Sequence, residues 1–430
     1  GVAPTKATTS AVEAKVKLGT KTASPGPTPI AIKPRAKASV PSEQVIECLT
    51  PQKEERSFSS SATSGPIIYE PWSKTFFIAS LCPIILFSNE NLNPTELRYE
   101  TPEKMLVKSL VEISEGKVDI ALKTIDALIK QTPNFKLAYL IQGDLLLAHA
   151  KQINGMGDET KGEKKEEVEN LKNEAKVRIE RYLNNLNLQN EPKIFAQLND
   201  KDKYLFYVDA GSSRLYLYEN IDGKLSYKDD FYVSIGKNGF GKQYEGDKKT
   251  PVGVYFTGKK IRESLSDFYG EAAYPLSYPN EIDIKNKRNG SGIWLHGTPK
   301  TTYNRAPLAS DGCIVLSNPD LMKLSSVLDN NKIPIIISFQ SLKDLESSNK
   351  NLAERKLSLI NAIERWREKW EDQDTESYLK FYSKNFFSQK DNYDSWAERK
   401  RIIQAQKQKV FVGLSEISFF DYPNTENEMV

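Results

Sequence analysis

The hydrophobic period changes from helical to strand-like near residue 200, and that change restricts the fold more than any other feature. Across residues 100–190 apolar side chains recur at helical spacing, as at Leu106, Leu110 and Ile113. From Tyr204 the apolar runs are short, rich in aromatic and β-branched residues, and separated by Gly, Asp and Ser, which is typical of strands. The sequence therefore predicts a helical region followed by a mainly β domain.

The helical region resembles a tetratricopeptide hairpin, because Gly116 and Pro133 separate its periodic segments. Only one to two repeats are visible, so we expect these helices to pack on a neighbour or on each other as a small bundle. Residues 154–172 are rich in Gly, Lys and Glu and predict a solvated linker before a charged helix that ends near Asn185.

The first hundred residues predict no packed domain. Residues 1–70 are rich in Pro, Ala, Thr, Ser and Lys without an apolar period, so we expect disorder there. Residues 74–88 contain an uncharged apolar run that fits a signal peptide or membrane anchor, with a buried element of a soluble domain as the alternative. Export would place the protein in the periplasm or cell envelope.

Composition excludes several classes of function. Lys and Arg total 60 against 57 Asp and Glu, a net charge of +3 that gives no case for nucleic acid as a partner. Three cysteines are too few and too scattered for a disulfide framework. Only two histidines, His149 and His296, could serve as a base at neutral pH, and His149 has the pattern of an ordinary helix-surface residue.

The pair His296 and Cys313 is the candidate for chemistry. His296 ends a strand-like run, and sixteen residues separate it from Cys313, which begins another apolar run. A thiol needs a base or a positive field to become a good nucleophile, and His296 is the one plausible activator in this domain. A single cysteine in an apolar run is otherwise more often a core residue. Gly312 lets the chain turn sharply before the nucleophile.

The segment from Ile293 to Asn318 resembles the YkuD-type L,D-transpeptidase family, whose signature is His-Gly, a spacer, Ser/Thr-His-Gly-Cys and a nearby Asn. Upstream, YVSIGK and EGDKKTPVGVY resemble the family's Gly-Lys turn and Thr-Pro-x-Gly-x-Tyr strand. The resemblance covers residues 193–342 and implies a mainly β catalytic domain. Asp311 stands where the family usually has His, as in its Ser-Asp-Gly-Cys subgroup.

The resemblance implies a role for each catalytic residue. Cys313 would attack a stem-peptide carbonyl, and His296 would take the thiol proton and pass it to the leaving D-amino acid. The Gly297 carbonyl would orient the imidazole, and the amides of Gly312 and Cys313 would hold the oxyanion. This chemistry calls for no metal and no cofactor.

We also expect a set of substrate-binding residues. Arg305 lies between the two motifs, where a guanidinium can bind a substrate carboxylate in bidentate fashion, although a solvent-exposed arginine is the alternative. The other candidates, expected to line the site or brace its loops, are Tyr303, Ser310, Asp311 and Asn318.

Residues 350–430 resemble the start of a SnoaL-like (nuclear-transport-factor-like) α+β cone. Aromatic residues such as Trp366, Trp370 and Tyr378 recur at helical spacing there, which more often marks a core than a ligand site. A strand is predicted over residues 409–420, and because only this first strand precedes Val430 we expect the domain to be cut short. The predicted fold is multidomain, with N-terminal α-helical hairpins, a central mainly β domain and a C-terminal cone.

The sequence thus predicts a peptidoglycan L,D-transpeptidase that acts through a Cys313 thioester. An L,D-carboxypeptidase that trims tetrapeptides is the alternative, because the carboxypeptidases of helical bacteria also pair a catalytic domain with a cone domain. An envelope scaffold that only binds peptidoglycan is the non-enzymatic alternative. Partners would be stem peptides, proteins bound through the helical region, and a membrane only through the N-terminal anchor.

Overall fold

The computed structural model describes residues 101–430, with gaps at 152, 154, 158–163, 184–195, 264, 330–331, 343–344, 346–351, 387–390, 408 and 426–427. The segments predicted as disordered (1–70) and as a signal or anchor (74–88) lie outside the described residues. None of the helices in the described ranges combines the length and apolar character needed to cross a bilayer.

Three regions follow one another, as the sequence predicted. The helices are α1 (Pro102–Ser114), α2 (Val118–Gln131), α3 (Lys136–Ala150), α4 (Lys165–Leu183), α5 (Glu281–Lys285), α6 (Asn318–Leu328), α7 (Leu352–Glu371), α8 (Thr375–Leu379) and α9 (Tyr393–Ala405). The strands are β1 (Ala196–Gln197), β2 (Tyr204–Asp209), β3 (Arg214–Ile221), β4 (Lys224–Tyr232), β5 (Ile235–Gly236), β6 (Gly253–Phe256), β7 (Ala273–Pro275), β8 (Trp294–His296), β9 (Leu308–Ser310), β10 (Ile314–Val315), β11 (Pro334–Ser338) and β12 (Phe419–Phe420).

Helices α1 to α4 form the helical layer, in which each helix packs on the next and α4 also packs on α1. Thr101 caps α1 by accepting a hydrogen bond from the Lys104 amide. Helix α4 begins at Lys165, so the predicted linker over 154–172 extends too far. Its charged sequence still forms helix because Ala175 and Ile179 give it one buried face.

The central domain is built on a five-stranded sheet with the order β4-β3-β2-β11-β6. Strands β2 and β11 run parallel, and the other neighbours are antiparallel. Both faces of the sheet are covered: Phe206 and Val208 enter the main core, whereas Leu205 and Tyr207 enter a second cluster with Tyr422. Alternation along β2 therefore places apolar side chains on both sides.

A three-stranded sheet, β10-β8-β7, carries the catalytic candidates. Strands β10 and β8 are parallel, and β7 is antiparallel to β8. Leu295 of β8 and Ile314 of β10 are fully buried in the core that Phe206 and Val208 share. One hydrophobic core thus holds the small sheet against the large one and fixes the position of the site.

The C-terminal region contains α7 to α9, and its aromatic stripe is core. Trp366, Tyr378, Tyr382 and Trp396 are buried together, and the Trp366 indole nitrogen donates to the Tyr382 hydroxyl at 3.1 Å. The strand predicted over 409–420 is wrong in extent, because only Phe419 and Phe420 are strand. A strand needs a hydrogen-bonded neighbour, and β12 pairs with the two residues of β1, while Phe420 also exchanges backbone hydrogen bonds with Val430.

The shared core predicts a large cost for truncating Phe206. Phe206→Ala leaves a cavity at the centre of the domain, so we expect the free energy of unfolding to fall by about 3–5 kcal/mol. Ile221→Ala removes an aliphatic side chain that is 53% exposed at the end of β3 and serves as the control. Urea denaturation of both variants measures the difference, and equal destabilisation would contradict the assigned core.

Candidate active site

The parallel pair β8 and β10 brings His296 and Cys313 to one face of the small sheet. Leu295 is directly paired with Ile314, and both point into the core. Because side chains alternate along a strand, the residues flanking this pair point the other way. His296 and Cys313 are therefore diagonal neighbours on the face opposite the core.

The His296 ring is buried and held by its own neighbour. Its Nδ1 lies 2.7 Å from the carbonyl oxygen of Gly297. A carbonyl can only accept, so Nδ1 carries the proton of the neutral ring and Nε2 keeps a lone pair. Burial is the main cause that lowers the pKa of His296 to about 4, and the charge of Arg305 lowers it further, against the opposing effect of the Gly297 hydrogen bond. The imidazole is thus neutral at neutral pH.

Gly297 also allows the close approach that supports this arrangement. A Cβ atom at residue 297 would lie 2.1 Å from the Oδ1 atom of Asn318. That oxygen accepts from the amides of Thr298 and Glu271, each at 3.2 Å, and the Asn318 Nδ2 donates to the Thr298 carbonyl at 2.8 Å. Asn318 was predicted among the substrate-binding residues. Its side chain ties together the two chain segments beside His296, which is the loop-bracing role of the two that were expected.

Aromatic side chains that the sequence did not single out surround the imidazole. Tyr269 lies 5.2 Å from the His296 ring, and Phe268 lies 6.2 Å from it, both measured between centroids. Both belong to a 3₁₀ turn over Asp267–Tyr269, and Tyr269 also packs on Trp294 at 4.9 Å. Nothing in the spacing of SLSDFYGE marks this turn as part of a site, since its position depends on tertiary packing alone.

The Cys313 thiol is half-buried and protonated. It donates a hydrogen bond to the Gly292 carbonyl at 3.4 Å. Burial raises its pKa above the usual value, whereas a hydrogen bond from the Trp294 backbone and the charges of Arg305 and Lys242 favour the thiolate. With a neutral imidazole beside it, the resting pair is thiol and imidazole rather than an ion pair.

A hydrogen-bonded turn holds the nucleophile. The Ser310 hydroxyl donates to the Cys313 carbonyl at 2.6 Å and accepts from the Gly312 amide at 3.1 Å. The hydroxyl of Thr250, a residue of the Thr-Pro-x-Gly motif, donates to the Gly312 carbonyl at 3.0 Å. Gly312 has a φ of +120°, a backbone conformation that favours glycine because glycine lacks a Cβ. The Ser310 hydroxyl thus occupies the Gly312 amide, one of the two amides predicted to hold the oxyanion.

Arg305 lies beside the nucleophile and is half-buried rather than free in solvent. Its Nη2 donates to the Phe268 carbonyl at 3.0 Å, and its guanidinium carbon lies 4.2 Å from the Phe268 ring centroid. Asp311, the residue that departs from the family pattern, is exposed and forms an ion pair with Lys237 at 3.3 Å. Arg305 therefore supplies positive charge at Cys313, and Asp311 lies at the solvent edge of the site.

Tyr303 does not face the site. Its ring packs against Phe135 of the helical layer at a centroid distance of 4.6 Å and belongs to the core of that layer. Of the two roles expected for Tyr303, lining the site or bracing its loops, the contact with Phe135 favours bracing over substrate binding. His149 has the surface position expected of it, with Nε2 3.6 Å from an Asp119 carboxylate oxygen.

No candidate metal centre accompanies these residues. In the part of the chain that the structure describes, there is no group of three or more His, Cys, Asp or Glu side chains placed to hold a metal ion.

Comparisons with protein families match two parts of the chain. Residues 203–337 match the family model of the L,D-transpeptidase catalytic domain, and residues 358–430 match that of the Cds6 C-terminal NTF2-like domain. These ranges fall within the predicted domains 193–342 and 350–430. Among curated proteins, none matches the chain.

Several solved structures are similar. The helical cell shape determining protein Pgp2 from Campylobacter jejuni is 29% identical, with 54% of this chain and 80% of that chain covered and a TM-score of 0.46. Bd1075 from Bdellovibrio bacteriovorus is 27% identical over 54% of this chain and 82% of that one, with a TM-score of 0.44. An L,D-transpeptidase from Stackebrandtia nassauensis is 20% identical, with 33% of this chain and 58% of that chain covered and a TM-score of 0.22. The chain therefore carries a YkuD-type L,D-transpeptidase catalytic domain, of a family of cysteine-dependent peptidoglycan enzymes, followed by an NTF2-like domain.

Proposed function

We propose that this protein is a peptidoglycan L,D-transpeptidase that transfers the acyl group of a stem peptide through a thioester on Cys313. The observation that carries the proposal is the hydrogen bond from His296 Nδ1 to the Gly297 carbonyl. It leaves a neutral ring with the Nε2 lone pair free to act as a base, on the same face of the sheet as Cys313.

In the acylation step, Cys313 Sγ passes its proton to His296 Nε2 and attacks the carbonyl carbon of the scissile peptide bond. The tetrahedral intermediate collapses as its C–N bond breaks. The imidazolium of His296 gives the proton to the leaving nitrogen, so a D-amino acid departs as a neutral amine and the thioester remains. The thiol therefore need not ionise before substrate binds.

The developing oxyanion needs donors placed in advance. Since Ser310 occupies the Gly312 amide, the proposal assigns the oxyanion to the Cys313 amide. Ser310 has the separate task of holding the nucleophile turn through the Cys313 carbonyl. Thr250 holds the same turn from the opposite side through the Gly312 carbonyl.

Arg305 binds the substrate carboxylate in this proposal. Its guanidinium is anchored through one nitrogen to the Phe268 carbonyl, which leaves other donors of the planar fork for a ligand. A tetrapeptide stem ends in a D-amino acid carboxylate close to the bond that Cys313 cleaves. A cation at this position therefore favours substrates with a free carboxylate over amidated ones.

The acyl acceptor defines two candidate activities. An amine acceptor gives transpeptidation, which we place first, as in the sequence analysis. Water gives L,D-carboxypeptidase trimming, and the observation that favours it is the NTF2-like domain after the catalytic domain, the pairing found in carboxypeptidases of helical bacteria. Either activity uses the same thioester. Because peptidoglycan lies outside the cytoplasmic membrane, we also propose the periplasm or cell envelope as the place of action.

Incubation of the purified protein with tetrapeptide muropeptides, followed by mass spectrometry, tests the proposal. We expect loss of the terminal D-amino acid together with a cross-linked dimer, whereas loss without a dimer indicates trimming. Cys313→Ala should abolish both products, and His296→Gln should lower the rate by about 10²–10⁴-fold because the general base is lost. Full turnover by Cys313→Ala, or no product and no carbapenem adduct on Cys313 in the unaltered protein, would contradict the proposal and favour a scaffold.

The neutral pair predicts a characteristic dependence on pH. Protonation of His296 removes the base, so kcat/KM should fall as the pH drops through about 4, the pKa of that ring. Alkylation of Cys313 by iodoacetamide without substrate should rise toward alkaline pH, because burial raises the thiol pKa. Mass spectrometry of the peptide that contains Cys313 follows the reaction. A rate independent of pH across the neutral range would indicate a thiolate–imidazolium pair instead.

Replacement of Arg305 tests carboxylate recognition. Arg305→Ala should lower kcat/KM for a tetrapeptide with a free terminal carboxylate by about 10- to 100-fold, the value of a lost charged hydrogen bond. Arg305→Lys keeps the positive charge but not the planar guanidinium, so its kcat/KM should lie between those of the unaltered protein and Arg305→Ala. The amidated tetrapeptide is the matched substrate. An equal loss of kcat/KM for both substrates would show that Arg305 does not bind the terminal carboxylate.

A further inference from the structure

We propose that the helical layer is a working part of the active site, because it positions the loop of residues 298–306 and with it Arg305. The role of Arg305 in substrate binding rests on the proposed function, but its placement beside Cys313 is a separate question. The residues responsible, Asn134, Phe135 and Arg178, are positioning residues, since they touch the loop or its support rather than the reacting atoms.

The first contact joins the turn before α3 to the loop. The Asn134 carbonyl accepts from the Tyr303 amide at 3.2 Å, and the Asn134 side chain donates to the Lys300 carbonyl at 3.0 Å. Next to it, the buried Phe135 ring packs on Tyr303. Two hydrogen bonds and a ring contact thus hold the start of the loop from the helical side.

The second contact acts on Arg305 itself. The Tyr232 hydroxyl donates to the Arg305 carbonyl at 2.9 Å, and the guanidinium of Arg178 from α4 lies 3.8 Å from the Tyr232 ring centroid. The side chain of Glu174 hydrogen-bonds both Arg178 and Asn304, the residue before Arg305. The Arg305 carbonyl and the side chain of the preceding residue are therefore held by α4, the first through Tyr232 and the second directly.

Buried ion pairs fix the helical layer to the catalytic sheet. Glu103 of α1 binds Arg178 at 3.3 Å and also binds Arg214 of β3. Asp230 of β4 binds Arg214 and, at 2.6 Å, Arg181 of α4. Separating such pairs would leave charges buried without a partner, which is strongly unfavourable. The layer is therefore a fixed support for the loop.

The loop in turn determines where the Arg305 charge lies. Thr298, just after His296, donates its hydroxyl to the carbonyls of Thr302 and Tyr303 at 2.8 and 3.2 Å, so the loop begins in a fixed turn. Its far end is held by the Ser234 hydroxyl, which donates to the Ala306 carbonyl at 2.5 Å. Between these ends the Lys300 amide donates to Asp267 and Arg305 contacts Phe268, and the contacts with the helical layer and Tyr232 add to these restraints. Loosening them should move Arg305 away from Cys313.

The test compares how fast Cys313 reacts with iodoacetate, an anion, and with neutral iodoacetamide. A positive charge near the thiol attracts the anionic reagent, so Arg305→Ala should lower the ratio of the two rates by about threefold or more. Phe135→Leu and Asn134→Ala should each lower the ratio toward the Arg305→Ala value. Ile125→Val trims the same helical core away from the loop and should leave the ratio unchanged.

Combination with Arg305→Ala makes the test specific. Phe135→Leu should change the ratio no further in the Arg305→Ala background, because the charge that it displaces is already gone. Should Phe135→Leu fail to fold, as judged by circular dichroism, Asn134→Ala decides. An unchanged ratio of the two alkylation rates in Phe135→Leu and Asn134→Ala, or in Arg305→Ala itself, overturns the proposal. A lowered ratio in a protein that is inactive on muropeptides supports the positioning and rejects the proposed function.

Discussion

The hydrogen bond between the His296 ring and the carbonyl of the next residue is the interaction on which the site depends. Beside it, Gly297 lets Asn318 approach closely, and Asn318 holds the adjoining backbone of Thr298 and Glu271. A carbonyl that accepts from Nδ1 decides which ring nitrogen keeps its lone pair. The backbone geometry of His296 and Gly297 thus determines whether the ring can act as a base through Nε2.

Burial determines the charge state of this pair. Water is excluded from His296 by the core on one side of the sheet and by Phe268 and Tyr269 on the other. A buried imidazole and a half-buried thiol both favour their neutral forms, and the nearby arginine shifts each pKa downward. The pair is therefore suited to transfer a proton during attack rather than to store a thiolate beforehand.

Local sequence could predict the order of elements and the two candidate catalytic residues, because period and motif spacing are properties of short segments. It placed Cys313 and His296 correctly in one domain, and the strand pairing that brings them to one face follows from the fold. It could not show that Tyr303 turns away into the helical layer, or that Ser310 occupies the Gly312 amide. Those outcomes depend on packing between segments far apart in the chain.

The C-terminal region illustrates the same limit. The aromatic spacing of Trp366 and Tyr378 correctly indicated a core, since helical periodicity is local. The extent of the strand near residue 420 depended on its partner β1, more than 200 residues earlier, which no local pattern reveals.

Nitrogen NMR of the two histidines is the measurement that tests the central claim most directly. With ¹⁵N-labelled histidine, replacement of His149 by Gln leaves His296 as the only signal. We expect a neutral ring protonated on Nδ1 throughout the neutral range, which becomes imidazolium only as the pH approaches about 4. A ring protonated on Nε2, or an imidazolium at neutral pH, would contradict it.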